Sequence, residues 1–165
     1  MIARPATLAD VTELVRVINL AYRVEADMFH GERTSDADVR ERIARPNAAF
    51  LVVVPDDLAG DTARTGRTLA GSVYVETRSS RGYFGMLAVD PNRQGRGLGR
   101  ALVQAAEEYG RASGCAHMDL DVVDLRGELT SFYGSLGYTA VGESPYPRPE
   151  QTKRPVRLIH MMKPL

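Results

Sequence analysis

Glycines 95, 97 and 99 alternate with larger residues directly before a segment of helical periodicity. A helix N-terminus offers unpaired N–H groups and partial positive charge, so anions bind there readily. Glycine also lets the backbone approach a cluster of oxygen atoms without a Cβ in the way. The same segment carries the basic residues Arg93, Arg96 and Arg100. These features indicate a site for a phosphate-bearing ligand, and the structural alternative is a glycine-rich turn with surface arginines.

The spacing of these glycines argues against two common phosphate-binding motifs. The chain has no G-x-x-x-x-G-K-[ST] sequence, so a P-loop is excluded. A dinucleotide-binding fold requires G-x-G-x-x-G after an early strand of a parallel βαβ unit. Here the spacing is G-x-G-x-G, and it follows strands whose pattern is typical of antiparallel hairpins.

Composition narrows the class of protein further. The chain has 165 residues, 44% apolar and 25% charged, which is typical of one soluble globular domain. Lys+Arg and Asp+Glu are both 21, and this balance disfavours nucleic-acid binding. The longest apolar run, 48–54, is too short to span a bilayer, and no signal pattern begins the chain. One cysteine, Cys115, excludes internal disulfides. We therefore expect a cytoplasmic protein without nucleic-acid or membrane partners.

Hydrophobic periodicity predicts about four helices that position the glycine segment. The first begins at Thr7, an N-cap residue with Asp10 three positions later as in a capping box, and runs to about Tyr22. The others are expected at 35–45, from 98 onward and at 127–137. The inner stripe of the last helix is expected to consist of Leu129, Phe132 and Leu136.

Apolar runs predict about seven strands, at the extreme N-terminus and at 48–54, 68–77, 82–89, 116–123, 138–143 and 154–163. The run 82–89 is apolar throughout, which indicates burial on both faces of a sheet. The polar segment 55–67 predicts a long hairpin loop. The order βααβββαβαββ predicts an α+β fold with a mixed, mostly antiparallel sheet flanked by the helices, in a single domain covering 1–165.

Two motifs carry a resemblance to a known family. The segment "LAVDPNRQGRGLGRAL" (87–102) resembles the acetyl-CoA-binding motif of the GNAT superfamily of N-acetyltransferases, whose core is Gln/Arg-x-x-Gly-x-Gly/Ala. The segment "SFYGSLGY" (131–138) is similar to the family's second signature, a short helix with a tyrosine shortly before "LGY". Both motifs occur in the family's order and separation, so the resemblance covers essentially the whole chain.

The resemblance implies acetyl-CoA as co-substrate and a set of backbone contacts for it. In the family, the fourth strand parts from the fifth, and the pantetheine arm enters the gap. Backbone groups of Leu87, Ala88 and Val89 would bond the arm and polarise the acetyl carbonyl. Gln94 would open the loop around the pyrophosphate, whose N–H donors would be those of Gly95, Arg96, Gly97, Leu98, Gly99 and Arg100. Arg126 stands where many relatives carry Asn; it either reaches a CoA phosphate or is solvated.

The resemblance also implies catalytic roles. Tyr133, at the family's tyrosine position, would donate a proton to the leaving thiolate; the alternative is a tyrosine at the edge of the core with its tip in water. The candidates for a general base are Glu25, Glu76 and Asp121, and the alternative is that none of them acts. At pH 7 an amine of pKa ~10.4 is neutral in about 1 molecule in 2,500, a penalty of roughly 4.6 kcal/mol. For an α-amino group of pKa about 7.8 the penalty is about 1 kcal/mol.

The acceptor site comes in this fold from the region of the first two helices and from the last β-loop. Here these are 22–34 and 144–155, which mix aromatic and charged residues: Tyr22, Glu25, Phe29, His30, Arg33, Tyr146, Arg148 and Lys153. If they line a site, their cations favour an acceptor with a carboxylate; otherwise they are solvated loops. The histidines are scattered, so no metal site is predicted.

The leading hypothesis is an acetyl-CoA-dependent N-acetyltransferase that acts on a small-molecule primary amine by direct transfer, since Cys115 has no evident base. A protein N-terminal or lysine acetyltransferase is the first alternative. Peptide-acetylating relatives often carry a tyrosine pair in the final loop, whereas Tyr146 stands alone among prolines. A non-catalytic acyl-CoA sensor is the second alternative, against which Tyr133 argues. Whether the protein is a homodimer is left open.

Overall fold

The structure, a computed structural model, describes residues 3–55 and 68–165. The predicted hairpin loop at 55–67 therefore lies, except for Pro55, outside the described residues. The strands are β1 (Arg4–Pro5), β2 (Ala48–Val53), β3 (Gly71–Arg78), β4 (Arg81–Val89), β5 (His117–Val123), β6 (Thr139–Pro145) and β7 (Arg157–Pro164). The helices are α1 (Val11–Tyr22), α2 (Asp36–Ile43), α3 (Leu98–Ala112) and α4 (Gly127–Ser135). This order confirms the predicted one.

The strands form one sheet in the order β1-β2-β3-β4-β5-β7-β6. Every neighbouring pair is antiparallel except β4 and β5, which are parallel, so the prediction of a mixed, mostly antiparallel sheet is confirmed. The chain places β7 between β5 and β6, and this brings the last strand beside the fifth. Within the described residues, no helix is both apolar enough and long enough to cross a membrane.

Strands β4 and β5 pair only at their beginnings, over Arg81–Tyr83 and His117–Asp119. Further along, β4 carries a bulge: its register with β3 shifts between Ser72 and Tyr74, and Met86 has φ of 50°. A bulge bends its strand and increases the local twist. The two central strands therefore part, and a gap opens between them.

The bulge also changes which face of the sheet each β4 side chain occupies. Before it, Phe84 packs in the core beneath α3; after it, Met86 and Ala88 pack in the core beneath α1. The prediction that β4 is buried on both faces is right only in part: its buried residues pack into one core before the bulge and into the other after it, and they alternate with half-buried ones. The half-buried Tyr83, Gly85 and Leu87 line the cavity described below. An apolar strand beside a cavity has the same composition as one inside a core.

The capping box predicted before the first helix is present. A short 3-10 turn, Leu8–Asp10, leads into α1, and the Asp10 carboxylate accepts a hydrogen bond of 2.8 Å from the Thr7 N–H. The same carboxylate accepts two further bonds of 2.8 Å from the Arg4 guanidinium. These contacts join the start of α1 to β1.

The inner side of α4 differs from the predicted stripe. Leu129, Phe132 and Leu136 are only partly buried, whereas Tyr133 is the buried residue of the helix. The Tyr133 ring lies 5.9 Å from that of Phe84, centroid to centroid. An aromatic ring brings more apolar area than a leucine, so the helix turns this ring toward the sheet.

Candidate active site

The glycine segment forms a tight turn between β4 and α3. Gly95 and Gly97 have φ of 76° and 78°, in the left-handed region that L side chains rarely adopt. A methyl group at either position would meet no protein atom within 4 Å. Packing therefore does not require these glycines. The backbone conformation does, and so would close approach of a ligand.

The helix that follows is well suited to bind an anion. Gly97 is the N-cap of α3, a helix of 15 residues whose first N–H groups have no partner within the helix. Arg96 and Arg100 are exposed beside it, and Leu98 is buried, which anchors the first turn. Before the turn, the Asp90 carboxylate accepts from the Asn92 N–H at 3.0 Å. The bare backbone, the helix dipole and the arginines fit a diphosphate group.

The edge of β4 that faces β5 has no ladder partner beyond Tyr83 among the described strands. Ala88 and Val89 pair with β3 on the opposite side, through Ser72 and Gly71. Those backbone groups of Leu87–Val89 that point away from β3 therefore face the gap and could bind an extended chain that enters it, as an added strand would.

A cavity of about 690 Å³ opens where β4 and β5 part. Residues of 22–34 form one side of it and residues of 146–151 another, so the two segments predicted to form the acceptor site lie together. The rings of Phe29 and Tyr146 are 5.1 Å apart, and the His30 N–H donates to the Gln151 carbonyl at 2.9 Å. Lys153 does not line the cavity; its Nζ donates to the Ala26 carbonyl at 2.7 Å.

Tyr133 lines this cavity and is only 6% exposed. Burial raises the pKa of its phenol well above the usual value. Burial likewise raises the pKa of Tyr22 and Tyr83, which line the same cavity. All three phenols therefore stay protonated at neutral pH, so they can donate hydrogen bonds but cannot act as bases.

Glu25 is buried at the cavity and is bound to Arg126. The Arg126 Nη1 lies 3.0 Å from the Glu25 Oε1, and the Arg126 Nε lies 2.8 Å from the Glu128 Oε1. The side chain of Arg126 is 17% exposed. The sequence did not indicate this pair, which joins residues 101 positions apart.

Glu76 lies outside the set of residues that line the cavity. Its Oε2 accepts a hydrogen bond of 2.9 Å from the Tyr74 hydroxyl, and its Oε1 accepts one of 2.8 Å from Arg78. Both carboxylate oxygens therefore have local partners at the end of β3.

Asp121 lines the cavity from β5. Its Oδ1 lies 2.5 Å from the Nδ1 of His160 on β7, and the His160 Nε2 lies 2.9 Å from the Ser144 Oγ on β6. Sequence reasoning missed His160 and Ser144. The register that brings them beside Asp121 depends on β7 lying between β5 and β6, which no local pattern reveals.

The charged residues of the lining differ in whether a partner neutralises them. The carboxylates of Glu25 and Asp38 are paired with Arg126 and Arg42. The Arg33 guanidinium lies 5.2 Å from the Tyr22 ring centroid. Within the described residues, the lining cations without a carboxylate at ion-pair distance are Arg23, Arg33 and Arg148. In the same part of the chain, the lining carboxylates without an arginine or lysine partner are those of Glu32 and of Asp121, which contacts the His160 imidazole. The side chains still available to a ligand are thus mainly cationic.

Comparison with known proteins agrees with this geometry. The sequence model described as "Acetyltransferase (GNAT) family" matches residues 16–138. A mycothiol acetyltransferase from Beutenbergia cavernae is 33% identical over 126 residues, which are 74% of this chain and 40% of that protein. An aminoglycoside N(6')-acetyltransferase type 1 from Klebsiella aerogenes is 31% identical over 104 residues, 62% of this chain and 66% of that protein.

The fold is also that of solved structures. A phosphinothricin acetyltransferase from Sinorhizobium meliloti, solved in complex with acetyl-CoA, superposes with a TM-score of 0.76 over 99% of this chain and 88% of that one. Its sequence identity is 16%, so this likeness concerns the fold alone. The chain spans about two fifths of the length of the mycothiol acetyltransferase that it matches.

Proposed function

Because the chain belongs to the Acetyltransferase (GNAT) family, we propose that it is an acetyl-CoA-dependent N-acetyltransferase that acts by direct transfer on a primary amine of a small molecule. One observation carries the proposal: β4 and β5 part beyond Tyr83 and Asp119, and the cavity that opens there is lined by both Tyr133 and Asp121. A hydrogen-bond donor and a carboxylate thus share one enclosure beside an unpaired strand edge.

The relatives support a small acceptor. The two sequence relatives are a mycothiol acetyltransferase and an aminoglycoside acetyltransferase. The phosphinothricin acetyltransferase that was crystallised with acetyl-CoA shares only the fold, so it does not bear on the acceptor.

The residues of this chain fit acetyl-CoA, which supplies an acetyl group activated as a thioester. The N–H groups of Gly95–Arg100 would hold the pyrophosphate, with Gln94 at the opening of the loop. The β4 edge at Leu87–Val89 would bind the arm and the acetyl oxygen. Arg126 is held by Glu25 and Glu128, so we assign it to fixing Glu25, which lines the cavity, rather than to a phosphate.

Two side chains would move protons. Tyr133, kept protonated by burial, would donate a hydrogen bond to the sulfur as negative charge develops there. Asp121 would accept a proton from the acceptor ammonium, because the other two carboxylate candidates are bound to arginines. The ammonium loses protons and the sulfur gains one, so one proton is released for each acetyl group transferred.

Direct transfer is favoured over an acetylated cysteine. Cys115 is buried outside the set of residues that line the cavity, and burial raises the pKa of its thiol. The thiolate, not the thiol, is the nucleophile.

An acceptor with a carboxylate fits the cavity best. Arg33 and Arg148 line it without a carboxylate at ion-pair distance in the described part of the chain. A guanidinium binds a planar carboxylate through two parallel hydrogen bonds. The same two guanidinium groups would repel an acceptor with several positive charges.

The test is to incubate the protein with acetyl-CoA and matched pairs of primary amines, each carboxylate beside its amide. Release of free thiol and the mass of the acetylated amine are followed. We expect transfer to carboxylate-bearing amines and weaker transfer to their amides. Tyr133→Phe should lower kcat by roughly 100- to 1,000-fold, within the range for a positioned proton donor.

Tyr109→Phe is the matched control, because Tyr109 is a partly buried tyrosine that does not line the cavity. It should keep wild-type activity. Acetyl-CoA binding without transfer to any amine would point to the sensor, and transfer to peptides alone would point to a protein acetyltransferase.

A further inference from the structure

Three polar side chains from three neighbouring strands meet on one face of the sheet. Asp121 on β5 lies opposite His160 on β7, and His160 lies opposite Gly142 on β6. Ser144 is two residues beyond Gly142 and so on the same face of β6. The face is the one on which Asp121 lines the cavity.

Their contacts form a continuous chain. The Asp121 Oδ1 is 2.5 Å from the His160 Nδ1, and the His160 Nε2 is 2.9 Å from the Ser144 Oγ. An ionised carboxylate can only accept, so Nδ1 carries a hydrogen and donates a hydrogen bond to Asp121. In the neutral imidazole, Nε2 then accepts from the Ser144 hydroxyl.

We propose that His160, itself held by Ser144, positions the Asp121 carboxylate as the base that takes the proton of the acceptor amine. This inference rests on the proposed function and names how its base is prepared. His160 and Ser144 do not line the cavity, so they act through Asp121 and are positioning residues.

An N–H bond of the acceptor ammonium breaks and an O–H bond forms at Asp121, while the nitrogen keeps the electron pair with which it attacks the acetyl carbon. His160 holds one carboxylate oxygen, and the remaining acceptor capacity of the carboxylate is left for the amine. Asp121 later releases its proton to water, to which its side chain is 29% exposed.

The exposure of the hydrogen-bonded series Asp121, His160 and Ser144 indicates a role beyond folding. The side chains of His160 and Asp121 are 37% and 29% exposed, and at this exposure even a fully charged pair would contribute little to stability. Burial, and after it the Asp121 charge, raises the pKa of Tyr83. Asp121 therefore acts electrostatically on the interior of the cavity as well as on His160.

The test compares two substitutions of His160 in the full chain. Asparagine places a donor nitrogen near the position of Nδ1, whereas leucine has a similar size and no donor. We expect His160→Leu to lower kcat with a basic amine by about 10- to 100-fold, which is less than complete loss of a general base would cost, about 100-fold or more. His160→Asn should restore most of the rate, and the KM for acetyl-CoA should stay unchanged in both variants.

A second readout separates positioning from a loss of structure. An amine of pKa ~10.4 is neutral in about 1 molecule in 2,500 at pH 7, whereas an α-amino group of pKa about 7.8 is neutral in roughly 1 in 7. A general base therefore contributes more to the rate with the amine of pKa ~10.4, which is almost entirely protonated. The loss caused by His160→Leu should therefore be greater for the basic acceptor than for the weakly basic one.

Arg81→Leu is the matched control. This substitution breaks the ion pair between Arg81 and Asp119, whose N–O distance is also 2.5 Å. Asp119 lies on the same face of β5 as Asp121, but neither Arg81 nor Asp119 lines the cavity. The kinetics of Arg81→Leu should be those of the wild type. Wild-type kinetics in His160→Leu, or an equal loss for every amine, would overturn the inference while leaving acetyl transfer intact. A wild-type protein that acetylates no amine would overturn the proposed function, and this inference with it.

Discussion

The partners of each reactive side chain decide what it can do. The three carboxylates predicted as bases have the same chemistry in the sequence, yet the structure gives each a different neighbour. Glu25 is bound by Arg126, Glu76 by Tyr74 and Arg78, and Asp121 by His160. Arg126 is 101 positions from Glu25 and His160 is 39 from Asp121, so no local pattern could reveal these partners. Residue type was predictable, and residue environment was not.

The Asp10 carboxylate is expected to stabilise the fold through its contacts with Arg4. Hydrogen bonding by Arg4 holds the pKa of the Asp10 carboxyl below its usual value, against the opposing effect of burial. A depressed folded-state pKa stabilises the fold above the unfolded value, near 3.9, and this stabilisation is lost as pH falls through the folded pKa. Because Arg4 is partly exposed, Asp10→Asn should cost about 1–2 kcal/mol of unfolding free energy at pH 7.

Urea unfolding at pH 7 and near pH 2.5 measures this effect. The gap between wild type and Asp10→Asn should narrow at the lower pH, where the wild-type carboxyl is also becoming protonated. An equal gap at both values would show that the ion pair does not contribute.

Elements were predictable where periodicity or a motif defined them. The helix after Gly97 and the capping box at Thr7 are both present. The bulge in β4 was different, because Met86 adopts φ of 50° although nothing in its residue type indicates a left-handed backbone. Strand composition also could not distinguish a cavity wall from a core. Both failures concern the strand that borders the proposed acetyl-CoA site.

Two glycines share a left-handed backbone conformation, but only one of them lies at the proposed binding turn. Gly97 and Gly114 have φ of 78° and 81°, and a methyl group at either would meet no protein atom within 4 Å. Valine at either position should cost roughly 1–3 kcal/mol of backbone strain. Only Gly97→Val puts a side chain where the pyrophosphate is proposed to lie.

Titration calorimetry with acetyl-CoA, beside thermal melting, separates strain from occlusion. The two variants should melt at similar temperatures, but only Gly97→Val should lose affinity, by at least tenfold. Unchanged affinity in a folded Gly97→Val protein would exclude the glycine turn as the binding site.

At the scale of the whole molecule, the sheet consists of two parts joined by three residue pairs between β4 and β5. The fold class was predictable because strand and helix patterns alternate in an order that few architectures accept. Family resemblance also led us to expect the parting of the strands. The strand register could not be predicted from the sequence, because β5 pairs with β7 and not with β6, the next strand along the chain.

Hydrogen exchange tests whether the gap binds acetyl-CoA. Amides of 84–100 should exchange more slowly when the cofactor is added, up to about 100-fold at a concentration 100 times Kd. Amides of β1 and β2 serve as the internal control and should change less. Protection confined to another region would place the cofactor elsewhere.

The two segments that line the cavity, 22–34 and 144–155, contact each other directly. Phe29 bridges to Thr152, the Lys153 N–H donates to the Met28 carbonyl at 2.8 Å, and the rings of Phe29 and Tyr146 lie against each other. A chimera that takes only one of the two segments from a relative would lose the contacts between them, because the partner residues would not match. If the cavity takes the proposed amine, changing the acceptor therefore requires grafting both segments together, because varying one loop alone would break its contacts with the other.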